Sequence, residues 1–409
     1  MPGPGLDLVG DEELAEVTEV IRSGRLTRYG PDDDTFPAKV RTFEHEVAAL
    51  AGVRHALAVN AGTSALYVAL AGLGVGPGDE VIVPGFTFVA TMSSVIYARA
   101  LPVLAEVDAT LNLDPADVES RITPRTRAIV AVHMLGAAAR IDELRDIAER
   151  HGLALLEDAA QAFGATYRGR WLGSFGHAGA FSFNEYKTIT CGDGGMLVTN
   201  DDALYDRCFA FHDQGHFPER EGQEVGSRVL LGLNFRMTEL QGALLLAQLR
   251  KLDRIRDHLR DNRDVVYSLL KGLPGLGFRE LLDPDGDLAT HLVVVFPDRE
   301  TAAEVTQRLG SITLDDSGWH VYSQMEHLLA RRTVTGRGCP FDCACHEVDA
   351  GYEPGMLPVT DDLLSRSMSF AIGVVDANLA PFGVRMRDSA DVARRRAQRF
   401  IDTYREVTA

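Results

Sequence analysis

Lys187 stands between an aromatic strand-like FSF and a turn holding Gly192, Gly194 and Gly195, in FSFNEYKTITCGDGGM (residues 181–196). A lysine in such an apolar, glycine-bounded segment is not placed like a solvated surface charge. Taking an ammonium out of water lowers its pKa, and a neutral amine is what imine formation with a carbonyl requires. The alternative is an exposed loop lysine, the commoner fate of that residue type. Three other segments bear on the choice. In NAGTSAL (Asn60 to Leu66), Gly62, Thr63 and Ser64 open a helix after small residues. Free backbone N–H groups and the positive end of the helix make such a start an anion seat; a plain helix cap is the alternative. In LLEDAAQAFGA (155–165), Glu157 and Asp158 lie where an apolar strand ends. Ligands of doubly wound sheets bind at the carboxyl ends of strands. In VPGFTFVATMSS (83–94), Phe86 and Phe88 follow another strand end. One of these rings could stack on a planar ligand, and core packing is the preferred reading for Phe86.

An imine-forming amine, an anion seat and a carboxylate at a strand end together suit pyridoxal 5′-phosphate. The carboxylate would keep the ring nitrogen protonated, so that the ring serves as an electron sink. The surrounding pattern supplies elements to hold such a site. Residues 12–23 carry Leu14, Val17 and Ile21 at helical spacing, and Gly24 follows as a stop. EVIV (80–83), 102–107, AIVAV (128–132), 153–156, 180–183 and 196–199 read as short apolar strands. Between them, Asp114-Pro115 opens one helix and IDELRDIAERHG forms another, ended by Gly152. This alternation predicts an α/β fold with a mostly parallel sheet. From Thr238 to Leu273 the chain reads as long helix, bent or broken once, before a strand at 291–296 and a helix at 299–309. The expected division is a large domain, 1–255, and a small C-terminal domain, 256–409.

The chain has 409 residues and a net charge of −18, which argues against nucleic acid as a partner, since phosphate contact needs a basic footprint. Its apolar runs are too short to span a bilayer, and the acidic start MPGPGLDLVGDEEL lacks the features of a signal peptide; a cytoplasmic enzyme is expected. Five cysteines do not suggest a disulfide framework. Cys339, Cys343, Cys345 and His346 cluster in CPFDCACH, and the spacing lacks paired C-x2-C. Buried thiols in a loop are the reading taken, with no metal assigned.

Seven segments in order resemble the DegT/DnrJ/EryC1/StrS sugar aminotransferases, a branch of the aspartate-aminotransferase fold (fold type I). They are GRLTRYGPD, FEHEVAALAGVRHALAVNAGTSAL, GDEVIVPGFTFVAT, PVLAEVD, LLEDAAQAFGA, FSFNEYKTITCGDGGML and LGLNFRMTELQGALLLAQL. The resemblance is dense from about residue 10 to 260 and loose beyond. It implies a three-layer large domain and a smaller α+β C-terminal domain. It also implies an aminotransferase that moves an amino group from an amino acid, glutamate or glutamine, to a keto carbon of a sugar, cyclitol or octulosonate, in amino-sugar or antibiotic biosynthesis. By the same resemblance Lys187 forms the Schiff base to pyridoxal 5′-phosphate and carries protons. Asp158 pairs with the ring nitrogen, Gln161 sits by the phenolic oxygen and Phe88 stacks on the ring. Gly62, Thr63, Ser64 and Ser182 hold the phosphate, and Asn234 reaches it from the neighbouring subunit of a homodimer. Asn184 departs from the histidine found in many relatives, and Cys191 and Asp193 depart from TTGEGG. The tail looks closer to members acting on octulosonate or cyclitol-like ketones than to those acting on nucleotide 4-keto hexoses. Arg28, Tyr29, His320 and Tyr322 lie in segments that could line a substrate pocket, and each is read as a packing or surface residue rather than a contact. Two alternatives remain. A dehydratase of the same family would carry histidine in place of Lys187, and a non-catalytic regulator would leave Lys187, Asp158 and the phosphate segment unexplained.

Overall fold

The computed structural model describes residues 3–31, 33, 35–218, 228, 230–345 and 351–409. Its larger sheet has seven strands. In chain order they are β1 (His55–Val59), β2 (Glu80–Pro84), β3 (Leu101–Ala105), β4 (Thr126–Val132), β5 (Ala154–Asp158), β6 (Ala178–Ser182) and β7 (Gly195–Thr199). In space they run β1-β7-β6-β5-β4-β2-β3. Only β7 is antiparallel to its neighbours. The six others therefore deliver their carboxyl ends to one edge. Helices Gly62–Gly72 and Val89–Tyr97 begin at that edge, just after β1 and β2.

Side-chain alternation along these strands sorts the interior into two apolar layers. Ile82, Ile129 and Leu155 enter one layer, which continues through Leu259, Phe370 and Phe400 into the C-terminal part. Val81, Val130 and Leu156 enter the other, with Leu66, Val95 and Tyr322. Across β5 the same alternation separates two adjacent acids. Glu157 takes the face of Leu155, and Asp158 that of Leu156.

A second sheet holds β8 (Gly277–Phe278), β9 (His291–Val295), β10 (Ser367–Gly373) and β11 (Gly383–Arg385), in that spatial order. The long helix foreseen from residue 238 is two helices, Glu239–Leu249 and Leu252–Leu270. Thr238 caps the first, exchanging bonds with Gln241 in a capping box. Residue 255 falls inside the second helix, which buries Ile255, Leu259, Val266 and Leu270 in the layer shared with the second sheet. The fold is thus α/β, with a mostly parallel central sheet between helices and a smaller mixed C-terminal unit. No helix among the described residues is long and apolar enough to cross a membrane.

One amphipathic reading placed the helix correctly and its face wrongly. Asp11–Ser23 is helical and ends at Gly24 in the left-handed region (φ 66°). Leu14 and Ile21 are nevertheless exposed, while Glu13 is buried. Glu13 accepts from Lys251 (2.6 and 2.8 Å) and Gln248 (2.8 Å), so an ion-paired contact selects the inward face.

Glu157 is fully buried, accepting from His133 Nε2 (2.9 Å) and from the backbone N–H of Gly173, Phe175 and Gly176 (2.8, 2.6 and 2.6 Å). Ala139 N–H donates to His133 Nδ1, which places the ring proton on Nε2. Removing the carboxylate strands four buried donors, so Glu157→Ala is expected to cost about 3 kcal/mol, measured as a lowered denaturant midpoint. A loss below about 0.5 kcal/mol, the range of an ordinary surface substitution, would refute this structural role.

Candidate active site

The site lies at the carboxyl edge of the large sheet, where the second unit closes over it. A small hollow is lined by Gln161, Tyr186, Lys187, Thr188, Thr290, His291, His320, Val374, Asp376 and Leu379.

Lys187 reaches it from the turn after β6. Asn184 builds this turn: its carbonyl accepts from Lys187 N–H (3.0 Å) and its side chain accepts from Tyr186 N–H (3.1 Å). The Asn184 amide also donates to Asp193 (3.1 Å), tying the lysine turn to the glycine turn. The residue standing where relatives carry histidine is therefore a local brace. The Lys187 amine makes no hydrogen bond or ion pair with a described residue. Its pKa is lowered because enclosure disfavours the ammonium; Asp158 and Asp376 oppose the shift without reversing it.

Asp158 ends β5 and is 5% exposed. Its carboxylate accepts from Thr91 Oγ1 (2.7 Å) and Ala160 N–H (3.1 Å) but has no ion-pair partner among the described residues. Enclosure pushes its pKa up, against the pull of those donors and of Lys187 and His133. Gln161 Oε1 accepts from Leu135 N–H (2.8 Å), which leaves the Gln161 NH2 as a donor beside the hollow. Leu135 itself holds a left-handed backbone (φ 58°).

The helix Gly62–Gly72 opens with Thr63 exposed and Ser64 donating to Asn60 Oδ1 (2.7 Å). Gly62 abuts the end of β6: a Cβ on it would lie 2.6 Å from Ser182 Cβ and 2.9 Å from its Oγ. The first N–H groups of the helix and the Ser182 hydroxyl thus share one small cradle. Phe88, 42% exposed, precedes the next helix and lies 5.2 Å from the His320 ring. Phe86 is fully buried in the core. Asn234 stands apart from the hollow. It is exposed, on a segment that pairs with Asp213 and runs beside the end of β1.

His320 is a correction. Read as a packing residue, it lines the same hollow as Lys187, 133 positions away in the chain. Arg28, Tyr29 and Tyr322 do pack: Arg28 pairs with Glu44 (3.0 Å), Tyr29 donates to Asp213, and Tyr322 donates to Asp361 (2.9 Å). Tyr186, Thr290, His291 and Asp376 were not foreseen. Only Tyr186 carried a signal, its adjacency to Lys187; the others reach the site through folding of the second unit. Burial lowers the pKa of His320 and takes His291 to about 3, so both rings face the site uncharged. The cysteine loop also differs from expectation. Cys339 and Cys343 are disulfide-bonded and half-buried, and Cys345 is exposed, because the loop lies on the surface; His346 lies outside the described residues.

With this geometry in place, comparison with known proteins is decisive. The model of the DegT/DnrJ/EryC1/StrS aminotransferase family matches residues 7–325. The chain belongs to this family. Its members use pyridoxal 5′-phosphate. The chain is similar to a GDP-perosamine synthase of Caulobacter vibrioides, 46% identical over 58% of this chain and 62% of that one. It is also similar to an L-glutamine:2-deoxy-scyllo-inosose aminotransferase of Streptoalloteichus tenebrarius, 42% identical over 63% and 62% of the two chains. Curated relatives are matched over 62% to 76% of their length. Among solved structures, DesV of S. venezuelae, determined with a ketimine intermediate, superimposes with a TM-score of 0.74 at 34% identity, over 97% of this chain and 94% of that one. The site fits the family cofactor on its own chemistry. An enclosed amine and an enclosed carboxylate, neither ion-paired with a described residue, suit an aldehyde and a protonated ring nitrogen, and the Gly62–Ser182 cradle suits a phosphate.

Two outcomes follow for the aminotransferase. Cofactor uptake by the apoprotein needs the neutral amine, so its rate should reach half-maximum below pH 10.5, the ordinary lysine value. Asp158→Asn removes a charge that raises the Lys187 pKa and should move that midpoint further down; an upward move would contradict the electrostatic account. Gly62→Ala intrudes on Ser182 and should weaken cofactor affinity by about tenfold, or ~1.4 kcal/mol, in a fluorescence titration, with unchanged circular dichroism.

Proposed function

We propose that this aminotransferase moves an amino group from glutamate or glutamine to the ketone carbon of a hydroxyl-rich acceptor, a sugar or cyclitol. The observation that carries this reading is a Lys187 amine lining the hollow and a buried Asp158 carboxylate close enough to act on it electrostatically, neither ion-paired with a described residue. The hollow bears on the acceptor. Tyr186, Thr290, neutral His291 and His320, and Asp376 offer donors and acceptors suited to hydroxyl groups. The perosamine synthase and the inosose aminotransferase among the relatives agree with an acceptor of this class.

Pyridoxal 5′-phosphate, when bound, supplies an electron sink for the carbanion character that develops at Cα. In this reading Asp158, held by Thr91 and Ala160, keeps the ring nitrogen protonated. Lys187 would hold the cofactor covalently at rest; once the donor's amine has displaced it, its free Nζ would take the proton from the donor's Cα and, in the second half-reaction, deliver a proton to the former carbonyl carbon of the acceptor. Gln161 would donate to the phenolic oxygen, and Phe88 would cover one face of the ring. Gly62, Thr63, Ser64 and Ser182 would bind the phosphate. Asn234, exposed and outside its own hollow, would reach the phosphate of the partner subunit in a homodimer.

The test is kinetic. Lys187→Ala should lose the visible absorption of the resting holoenzyme and about a thousandfold in turnover, the scale of a lost acid–base and covalent group. The aminated wild-type enzyme should react with keto-sugars or keto-cyclitols in single-turnover assays. If it reacted with simple 2-keto acids alone, the acceptor assignment would fall.

A further inference from the structure

Three of the five cysteines meet far from Lys187 in sequence and take no part in the reaction described above. Backbone bonds between Gly338 and Asp342, 3.0 Å in each direction, close a tight loop. It sets Cys339 beside Cys343 with Cα atoms 5.1 Å apart. The Cys345 sulfur joins them, and all three sulfurs lie within 4.8 Å of one another. The loop is anchored on the large sheet. Phe341 meets the Tyr352 ring at 6.1 Å, and the Tyr352 hydroxyl donates to the Pro102 carbonyl (2.6 Å) at β3. Arg99 and Arg337 line the same surface hollow as Cys339.

We propose that the reduced loop is a binding site for one thiophilic divalent cation, zinc, held by the sulfurs of Cys339, Cys343 and Cys345. Thiolates select such ions over hard cations. Tetrahedral zinc with Zn–S bonds of about 2.3 Å places its sulfurs about 3.8 Å apart, inside the 4.8 Å within which these three sulfurs already lie. Solvent takes the fourth position. Opening consumes one dithiol reductant: the disulfide gains two electrons and two protons and gives two thiols, while the reductant becomes a disulfide. Zinc then displaces three thiol protons, leaving a tris-thiolate complex of charge −1. The disulfide and the metal site are two states of one cluster, and the ion would staple the loop to itself where the bond now does.

Zinc retention by the full-length, cofactor-loaded protein tests this. Protein reduced with a phosphine and stripped of metal is given zinc, passed through gel filtration and analysed for the element. The expected result is one zinc per chain in the reduced form and none in the oxidised form. A variant with Cys339→Ser, Cys343→Ser and Cys345→Ser should retain none. Cobalt should give thiolate charge-transfer absorption in the wild type that this variant lacks. Cys345→Ser alone leaves the disulfide and the loop closure intact, so it guards against a folding defect; when reduced it should lose at least tenfold in zinc affinity. Reduced wild type retaining no more zinc than the triple variant would overturn the proposal. So would a Cys339–Cys343 bond that survives the reductant, seen as three free thiols rather than five.

Discussion

Lys187 and Asp158 are both enclosed, both ionisable, and neither is neutralised by a partner within the described chain. Enclosure acts on them in opposite senses, lowering the pKa of the amine and raising that of the carboxyl. Each sits where its charged form costs more than it would in water, and that placement has to be supplied by the rest of the fold. The parallel strands bring β5 and β6 side by side, with Asp158 opposite Ala180 in register. The sheet edge thus becomes a place where two costly groups sit near each other and near a helix start that receives anions.

Much of the surrounding structure serves that arrangement. Glu157, one residue from Asp158, uses the other face of β5 to collect three N–H groups and the His133 ring. Two consecutive acids therefore do different work: one braces the sheet, and the other looks into the site. Asn184 and Asp193 join the lysine turn to the glycine turn, so the departures from the family pattern lie in the bracing of Lys187 rather than in its chemistry. Thr91 reaches Asp158 from the helix that follows Phe88. A single hydroxyl thereby couples the ring-covering segment to the carboxylate.

The second unit contributes differently. Thr290 and His291 arrive at the start of one of its strands, and Asp376 arrives in the loop after another. In the proposed reading these groups meet the acceptor. The cysteine loop belongs to this second region and lies on the surface, away from the lysine.

Local sequence determined the elements and where Lys187, Asp158 and Gly62 sit on them. Apolar runs bounded by proline and glycine became strands, and Asp114, Thr238 and Gly152 marked helix ends, because each reading rests on bonds made within a few residues. Lys187, Asp158 and Gly62 were legible for the same reason, since each sits at a strand end or helix start that neighbouring residues specify. Tertiary structure alone decided which face of the first helix turns inward, where Glu13 outbids Leu14 by pairing with Lys251. It alone brought His320, His291 and Asp376 to the hollow. A contact between residues a hundred or more positions apart leaves no mark in spacing; it exists only once two sheets share one apolar layer and fix how the chain returns.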